Sequence, residues 1–205
     1  MVPCIDDYYE YQGEIAAFYS DTQPMHRQLL LNLLHRHQPV DTHEQSMTVA
    51  MIAFVEQHPT CFERSLLIGH VTGSAWIVSP DRQQVLLIHH RKLDRWLQPG
   101  GHADGDPDVV AVALREAQEE TGLHSLRLVD VEAGIFDVDI HTIPARGNVS
   151  EHLHYDVRFL LEADPDEAFG FSDEIKNIQW FALNNLVSSV DSESIDRMVR
   201  KNMKN

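Results

Sequence analysis

Positive charge is scarce in this chain. Its 205 residues carry 16 lysines and arginines against 32 aspartates and glutamates, a formal net charge of −16. So few cations cannot neutralise many phosphates, so no binding to duplex nucleic acid is expected. Cysteine is scarcer still, with only Cys4 and Cys61. One bridge is arithmetically possible, but two cysteines do not make a stapled secreted scaffold, and a reduced, cytoplasmic protein is expected. No apolar run approaches the ~18 residues of a membrane span, so no membrane partner is expected. The N-terminus is acidic and aromatic (Asp6, Asp7, Tyr8, Tyr9) rather than basic then apolar, unlike a signal peptide. There is no internal repeat and no low-complexity tract.

What is present is ordinary globular composition, 43% apolar and 23% charged, enough for one domain with its own core. The pattern divides it into an N-terminal helical extension, residues 1–65, and a domain, residues 66–205. In the extension, Met25, Leu29, Leu30, Leu33 and Leu34 form an apolar stripe over 24–37, which Gln38-Pro39 breaks. Thr42-His43-Glu44-Gln45 has the form of a capping box. The helix it opens presents Met47, Met51, Phe54 and Val55 and stops at His58-Pro59. The two helices are expected to dock on the domain or on a second copy, making a homodimer a possible partner state.

From residue 67 the period shortens. Val71 to Val78 and Val85 to His89 read as strands around a Ser79-Pro80-Asp81 turn. A helix is expected over 107–121. Ile135 to Ile140 and Leu153 to Leu161 alternate, the latter with Leu153, Tyr155, Val157, Phe159 and Leu161 against His152, His154, Asp156 and Arg158. Ile178 to Ala182 is a short strand, and Ser192 to Met203 a closing helix. Strands interrupted by a mid-chain helix indicate an α+β fold, a mixed sheet with helices packed on it.

The chemistry concentrates in Gly100-Gly101-His102 and in Arg115-Glu116-Ala117-Gln118-Glu119-Glu120-Thr121-Gly122-Leu123. Glu116, Glu119 and Glu120 stand at i, i+3 and i+4, so one helix face carries three carboxylates. Val110, Ala113, Leu114 and Ala117 give the opposite face an apolar surface for docking. Repelling carboxylates near a helix C-terminus are offset by a hard divalent cation, and Mg²⁺ takes oxygen ligands and bridges carboxylates to substrate phosphates. A solvated acidic face with an Arg115–Glu119 salt bridge is the plain alternative. The flanks favour the metal: Gly122 suits a helix stop, Gly100 and Gly101 permit close approach, and Asp106-Pro107 reads as an N-cap followed by a first helical proline.

This stretch resembles the Nudix box: Gly, five residues, Glu, seven residues, then Arg-Glu-(apolar)-x-Glu-Glu-x-Gly-(apolar). Gly101, Arg115, Glu116, Ala117, Glu119, Glu120, Gly122 and Leu123 fall at the required spacing, and Leu97-Gln98-Pro99 resembles the usual lead-in. The likeness extends over residues 67–190, including Trp180-Phe181. Pro107 departs from it, standing where the family has its first box glutamate. The resemblance implies a Nudix-like α/β/α sandwich. It also implies Mg²⁺-dependent (Mn²⁺ being possible) pyrophosphohydrolysis of a small nucleotide-like diphosphate substrate. Glu116, Glu119 and Glu120 would be metal ligands and catalytic, with a carbonyl of Gly100 or Gly101 assisting. Glu174 is the first candidate for the catalytic base and Glu151 the second. Because of Pro107, Asp104, Asp106 or Asp108 is expected beside Arg115.

Substrate phosphates are expected at Gly101, His102 and the basic group Arg91, Lys92 and Arg95. Trp76, Trp96, Phe136 and Tyr155 read as core. His152, His154 and Asp156, opposite Asp137 and Asp139, form a weaker candidate transition-metal set, with a solvated strand face as the alternative. Two other function classes compete. Isopentenyl-diphosphate isomerases share the fold, but Trp96-Leu97-Gln98-Pro99-Gly100-Gly101-His102 lacks their catalytic cysteine. A non-catalytic nucleotide- or partner-binding module is the other class, kept open by Pro107.

Overall fold

The computed structural model describes residues 26–129, 134–170, 172–186 and 193–203. Met25, Cys4 and the aromatic N-terminus lie outside the described residues. Two helices come first, α1 (Gln28–Arg36) and α2 (Thr42–Gln57). The cap of α2 is one residue earlier than the sequence suggests. Asp41, not Thr42, is the N-cap, accepting from the Glu44 amide at 2.9 Å, while Glu44 accepts from the Val40 amide at 2.8 Å. Both orphan donors are thereby satisfied.

The strands are β1 (Gly69–Val78), β2 (Gln84–His90), β3 (Arg95–Leu97) and β4 (Gly100–His102), then β5 (Arg127–Leu128), β6 (Asp137–Ile143), β7 (His152–Glu162) and β8 (Ile175–Ala182). Between β4 and β5 lies α3 (Val109–Thr121); α4 (Leu183–Leu186) and α5 (Glu193–Asn202) close the chain. The fold is α+β, a mixed sheet sandwiched between helices. Its path runs β3-β2-β1-β7-β5, with β4 also on β1, β6 on β7 and β8 on β2. β1 and β7 pair in parallel from Gly69↔Leu153 to Val78↔Glu162, and the other pairings are antiparallel.

β3 and β4 correct the sequence reading, which had loop there. A Pro-Gly-Gly segment has no strand propensity of its own. β1 supplies the ladder of β4 instead, pairing Thr72 with His102, Gly73 with Gly101 and Ser74 with Gly100, and β2 supplies that of β3. Strand alternation gives the sheet two chemically different faces. Val71, Ala75 and Ile77 join Val157, Phe159 and Leu161 in one core, which α3 covers with Val109, Val112, Ala113 and Ala117. Gly73 is needed there: a Cβ would sit 2.8 Å from the Val109 carbonyl oxygen. Leu30, Leu34, Met51, Phe54 and Val55 of α1 and α2 belong to this same core, and Phe54 stacks on Tyr155 at 3.7 Å. The extension and the domain thus share one interior among the described residues. The opposite face packs Trp76, Val78, Val85 and Leu87 against Leu183, Leu186, Ile195, Met198 and Val199.

The polar side of β6 and β7 is not a solvated face. α5 covers it, and a charge network replaces water. Arg158 donates to Asp156 (2.7 Å), Asp137 (3.1 Å) and Asp139 (3.1 Å), and Arg197 donates to Asp137 at 2.8 Å. Lys201 reaches Asp137 at 2.9 Å and also bonds Glu44. Glu44 is fully buried and accepts from His37 at 2.8 Å. Burial alone would raise the Glu44 carboxyl, but His37, Lys201 and the Val40 amide outweigh it and hold it at about 2, against the usual 4.5.

Glu44 therefore ties α2 to α5. Removing one partner of a buried ion pair costs about 3–5 kcal/mol, so Glu44→Ala should lower urea stability at pH 7 by that order. A depressed carboxyl stabilises above its unfolded pKa and loses that effect as pH falls through its folded value. The Glu44 contribution should be complete above pH 4.5 and disappear towards pH 2. Equal stability of wild type and variant at pH 7 would contradict the assignment.

Candidate active site

α3 starts two residues later than the sequence suggests. Asp108 is its N-cap, accepting from the Ala111 amide at 3.1 Å, and Pro107 lies before the helix. Asp106, read as the cap, accepts from the Asp108 amide at 2.9 Å in the preceding turn. Gly122 ends the helix in the left-handed region at φ 70°, where its Cβ-free surface lets Gly170 approach.

The last two turns of α3 lie against the Gly100–Gly101 strand, and the fit is tight. A Cβ on Gly101 would stand 2.2 Å from Glu116 Oε2, and the Gly100 amide donates to Glu120 Oε2 at 2.9 Å. Two of the three box carboxylates are thereby held at one backbone turn, while Glu119 is mostly exposed. Burial pushes the Glu120 carboxyl up to about 7; the Gly100 amide opposes this, and Glu116, Glu174 and Glu119 add repulsion. Burial likewise raises Glu116 against the pull of Arg115.

Arg115 is well partnered despite Pro107. It donates to the His102 carbonyl at 3.2 Å and to Glu116 at 3.0 Å, with Asp106 at 3.7 Å and Glu119 at 3.9 Å. Of the three aspartates considered, Asp106 faces it. Asp104 is taken by Arg64, which holds its carboxyl below the usual range. Arg64 also lies within the electrostatic reach of Glu116 and Glu174. The sequence reading missed it, since it belongs to the extension and meets Asp104 across 40 residues of chain.

Glu174 pairs with Lys92 at 2.5 Å, and that bond keeps its carboxyl low and ionised. It is near enough to Glu120 to raise it. Arg91 donates to the Asp173 and Ile175 carbonyls at 2.9 and 3.1 Å, which fixes it to the start of β8. Arg95 is exposed at the head of β3, and Glu151 is exposed just before β7. His102 follows Gly101 on β4 but points among other histidine rings, 4.8 Å from His154 and 5.0 Å from His70. Burial, then Arg64, pulls it down to about 4.

The candidate set His152, His154, Asp156, Asp137 and Asp139 is split by the structure. The three carboxylates are committed to Arg158 and, for Asp137 and Asp139, Arg197; Asp156 also accepts from Thr72 (2.9 Å) and Ser74 (2.7 Å). The two histidines instead meet His70. Cys61 is buried, its thiol raised by burial to about 11, and is unreactive.

With this geometry in view, the comparisons agree. The NUDIX domain model matches residues 70–201, more than half of the chain, and the chain belongs to the Nudix hydrolase family. A probable DHNTP pyrophosphohydrolase of Lactococcus lactis subsp. cremoris is 29% identical over 115 residues, 55% of this chain and 63% of that protein. Nucleoside diphosphate-linked moiety X motif 6 of Xenopus laevis is 39% identical over 59 residues, 27% of each. The chain spans less than two thirds of the length of these curated relatives. A C. elegans Ap4A hydrolase structure has a TM-score of 0.52 at 19% identity, over 65% of this chain and 95% of that one. The E. coli dihydroneopterin triphosphate pyrophosphohydrolase gives 0.52 at 17%, over 66% and 96%. At these identities the likeness is one of fold. No helix among the described residues is long and apolar enough to cross a membrane.

The Gly101–Glu116 contact yields a sharp expectation. In Gly101→Ala the methyl must displace the Glu116 carboxylate, a flexible end that moves at little cost in stability. A misplacement of about 1 Å can cost ~100-fold in rate. Gly101→Ala should therefore melt near wild type yet lose hydrolysis by about that factor. A variant with near-normal activity would show that Glu116 need not sit at this turn.

Proposed function

We propose that the chain hydrolyses a phosphoanhydride bond in a small nucleotide-like diphosphate, using Mg²⁺ or Mn²⁺ held by Glu116, Glu119 and Glu120. The observation that carries this is the convergence of Glu116 and Glu120 on the Gly100–Gly101 backbone of β4. Three carboxylates share the single guanidinium of Arg115, and burial raises Glu116 and Glu120 in spite of it; such an all-oxygen donor set suits a hard divalent cation. When bound, such a cation would neutralise the diphosphate and acidify water.

The remaining work falls to the chain's own groups. Arg115 fixes Glu116 and is itself positioned by the His102 carbonyl and Asp106. Glu174, ionised and beside Glu120, accepts the proton of the attacking water; Lys92 orients it and offers a cation to the substrate. Arg91, Arg95 and Gly101 complete the substrate contacts; His102, expected among them, turns its ring away into the histidine cluster on the opposite face. The pyrophosphohydrolase name of the Lactococcus relative supports the reaction class and leaves the leaving group open. No cysteine stands in the lead-in to the box, which disfavours the isomerase reading.

The test is phosphate release from a nucleotide panel with Mg²⁺, with and without chelator. Glu116→Gln and Glu120→Gln keep size and remove charge, and each should cost about 10²–10³ in rate, the scale of losing one preorganised electrostatic contact. If both stay near wild type at limiting Mg²⁺, the ligand assignment fails. Pro107→Glu separates this reading from a non-catalytic module. Because Asp106 already faces Arg115, hydrolysis should rise only modestly. A jump from none to brisk turnover would show that the natural chain is a binding module.

A further inference from the structure

Five histidines gather on the sheet face opposite α3. They come from four neighbouring strands: His102 on β4, His70 on β1, His152 and His154 on β7, and His141 on β6. The pairing explains the gathering. His70 stands beside His154 in the parallel ladder, His154 beside His141 in the antiparallel one, and His152 lies two residues along the same face. The rings of His70, His152 and His154 lie 5.0–5.3 Å apart, centroid to centroid.

We propose that His70, His152 and His154 bind a divalent transition-metal ion of the zinc class, at a site separate from the carboxylate face of α3. One nitrogen from each lies within 4.8 Å of the others. Zn–N bonds of about 2.1 Å in tetrahedral array bring ligand nitrogens to roughly 3.4 Å, a contraction that small side-chain rotations supply. The second observation is unmet hydrogen-bonding capacity. His70 is only 4% exposed, and neither of its ring nitrogens has a hydrogen-bond partner of ordinary geometry, although the Leu66 carbonyl stands close enough to raise it as a backbone hydrogen-bond acceptor. His154 Nε2 is buried and unpartnered as well. Buried polar atoms without partners are rare in native proteins and costly. A metal ion satisfies both rings at once.

The remaining details fit a ligand set. His152 Nδ1 is held at 2.9 Å by the Ser150 carbonyl, which leaves Nε2 as the free donor. Metal-ligating imidazoles are oriented by such carbonyls through the other nitrogen. Burial, then the neighbouring imidazoles, pulls His154 down to about 2, and burial also lowers His70, so these rings are neutral lone-pair donors at neutral pH. Imidazole nitrogens select zinc, copper, nickel or iron over magnesium. The carboxylates on this face are unavailable, being paired with Arg158 and Arg197. Three protein nitrogens leave one coordination position open. The proposal stands on strand geometry and does not depend on the hydrolase reading.

The experiment uses the tag-free full chain, stripped with chelator and titrated with Co²⁺ and then Zn²⁺ in excess Mg²⁺, which occupies the carboxylates. One equivalent of Co²⁺ should bind with the visible ligand-field absorption of a low-coordinate nitrogen site, and Zn²⁺ should displace it. His152→Asn and His154→Asn should each weaken binding by more than the ~10–100-fold that an outer-shell loss costs. His141→Asn, outside the triad, should bind as wild type. Only folded variants, by circular dichroism, are compared. Should the His154 variant unfold, His152, likewise only half-buried, decides, and imidazole ¹⁵N shifts of the wild type on Zn²⁺ addition identify the ligating rings independently. The proposal is overturned if no Co²⁺ or Zn²⁺ binds in excess Mg²⁺. It is equally overturned if folded His152→Asn binds undiminished, or if the shifts of His70, His152 and His154 do not move.

Discussion

The parallel pairing of β1 with β7 governs the rest of this molecule. It runs unbroken from Gly69↔Leu153 to Val78↔Glu162, and a slip of one residue would exchange every inward side chain for an outward one. In this register Val71, Ala75 and Ile77 share one face with Val157, Phe159 and Leu161, and α3 docks on it with its carboxylates at the rim. The same register brings His70 to His154, Thr72 to Asp156 and Ser74 to Arg158 on the other face. Thr72 and Ser74 then donate to Asp156, and Asp156 accepts from Arg158. Non-local parallel pairing is entropically costly to close. Cores on both faces and the charge network that α5 completes supply the offset.

The acidic excess of the chain is divided among these environments. Asp137, Asp139 and Asp156 are countered by Arg158 and Arg197, and Glu44 by Lys201 and His37. These buried pairs depend on one another, because Arg158, Arg197 and Lys201 each serve at least two carboxylates. The box helix differs. Arg115 is its principal partner, shared among Glu116, Glu119 and Asp106. At Glu120 burial, with repulsion from Glu116, Glu174 and Glu119 behind it, raises the carboxyl to about 7. Net charge alone therefore says little about function; its local balance does.

What was legible in the sequence follows from range. The three carboxylates of α3 share a helix face whatever the fold, so their spacing could be read directly, and the Gly122 stop with them. β7 was legible because eight residues, His152 to Phe159, alternate polar and apolar without a break. Caps were placed one or two residues off, because Asp41 and Thr42, or Asp106 and Asp108, are chemically equivalent until the backbone selects one. β3 and β4 were illegible because their ladder bonds come from β2 and β1 respectively, and not from their own propensity. The polar side of β7 was read as solvated, since alternation reports only that two faces differ. The cover over it, Arg197 and Lys201, comes from about 40 residues further along the chain. His70 and Arg64 joined their partners only through tertiary contact, and no local signal marks either.

β4 shows how closely the two faces are coupled. Successive strand residues point to opposite sides at a rise of about 3.3 Å. Gly101 turns its bare Cα to Glu116, while His102, the next residue, sends its ring into the histidine cluster on the far side. The backbone between them is held from both directions, by the Arg115 guanidinium on the His102 carbonyl and by β1 through Gly73 and Thr72. A rigid three-residue strand cannot shift one of these residues and leave the other in place. The position of the Glu116 carboxylate and the packing of the His102 ring are therefore set by the same hydrogen bonds. The double glycine is tolerated here because the ladder and Arg115, rather than side-chain packing, hold this strand.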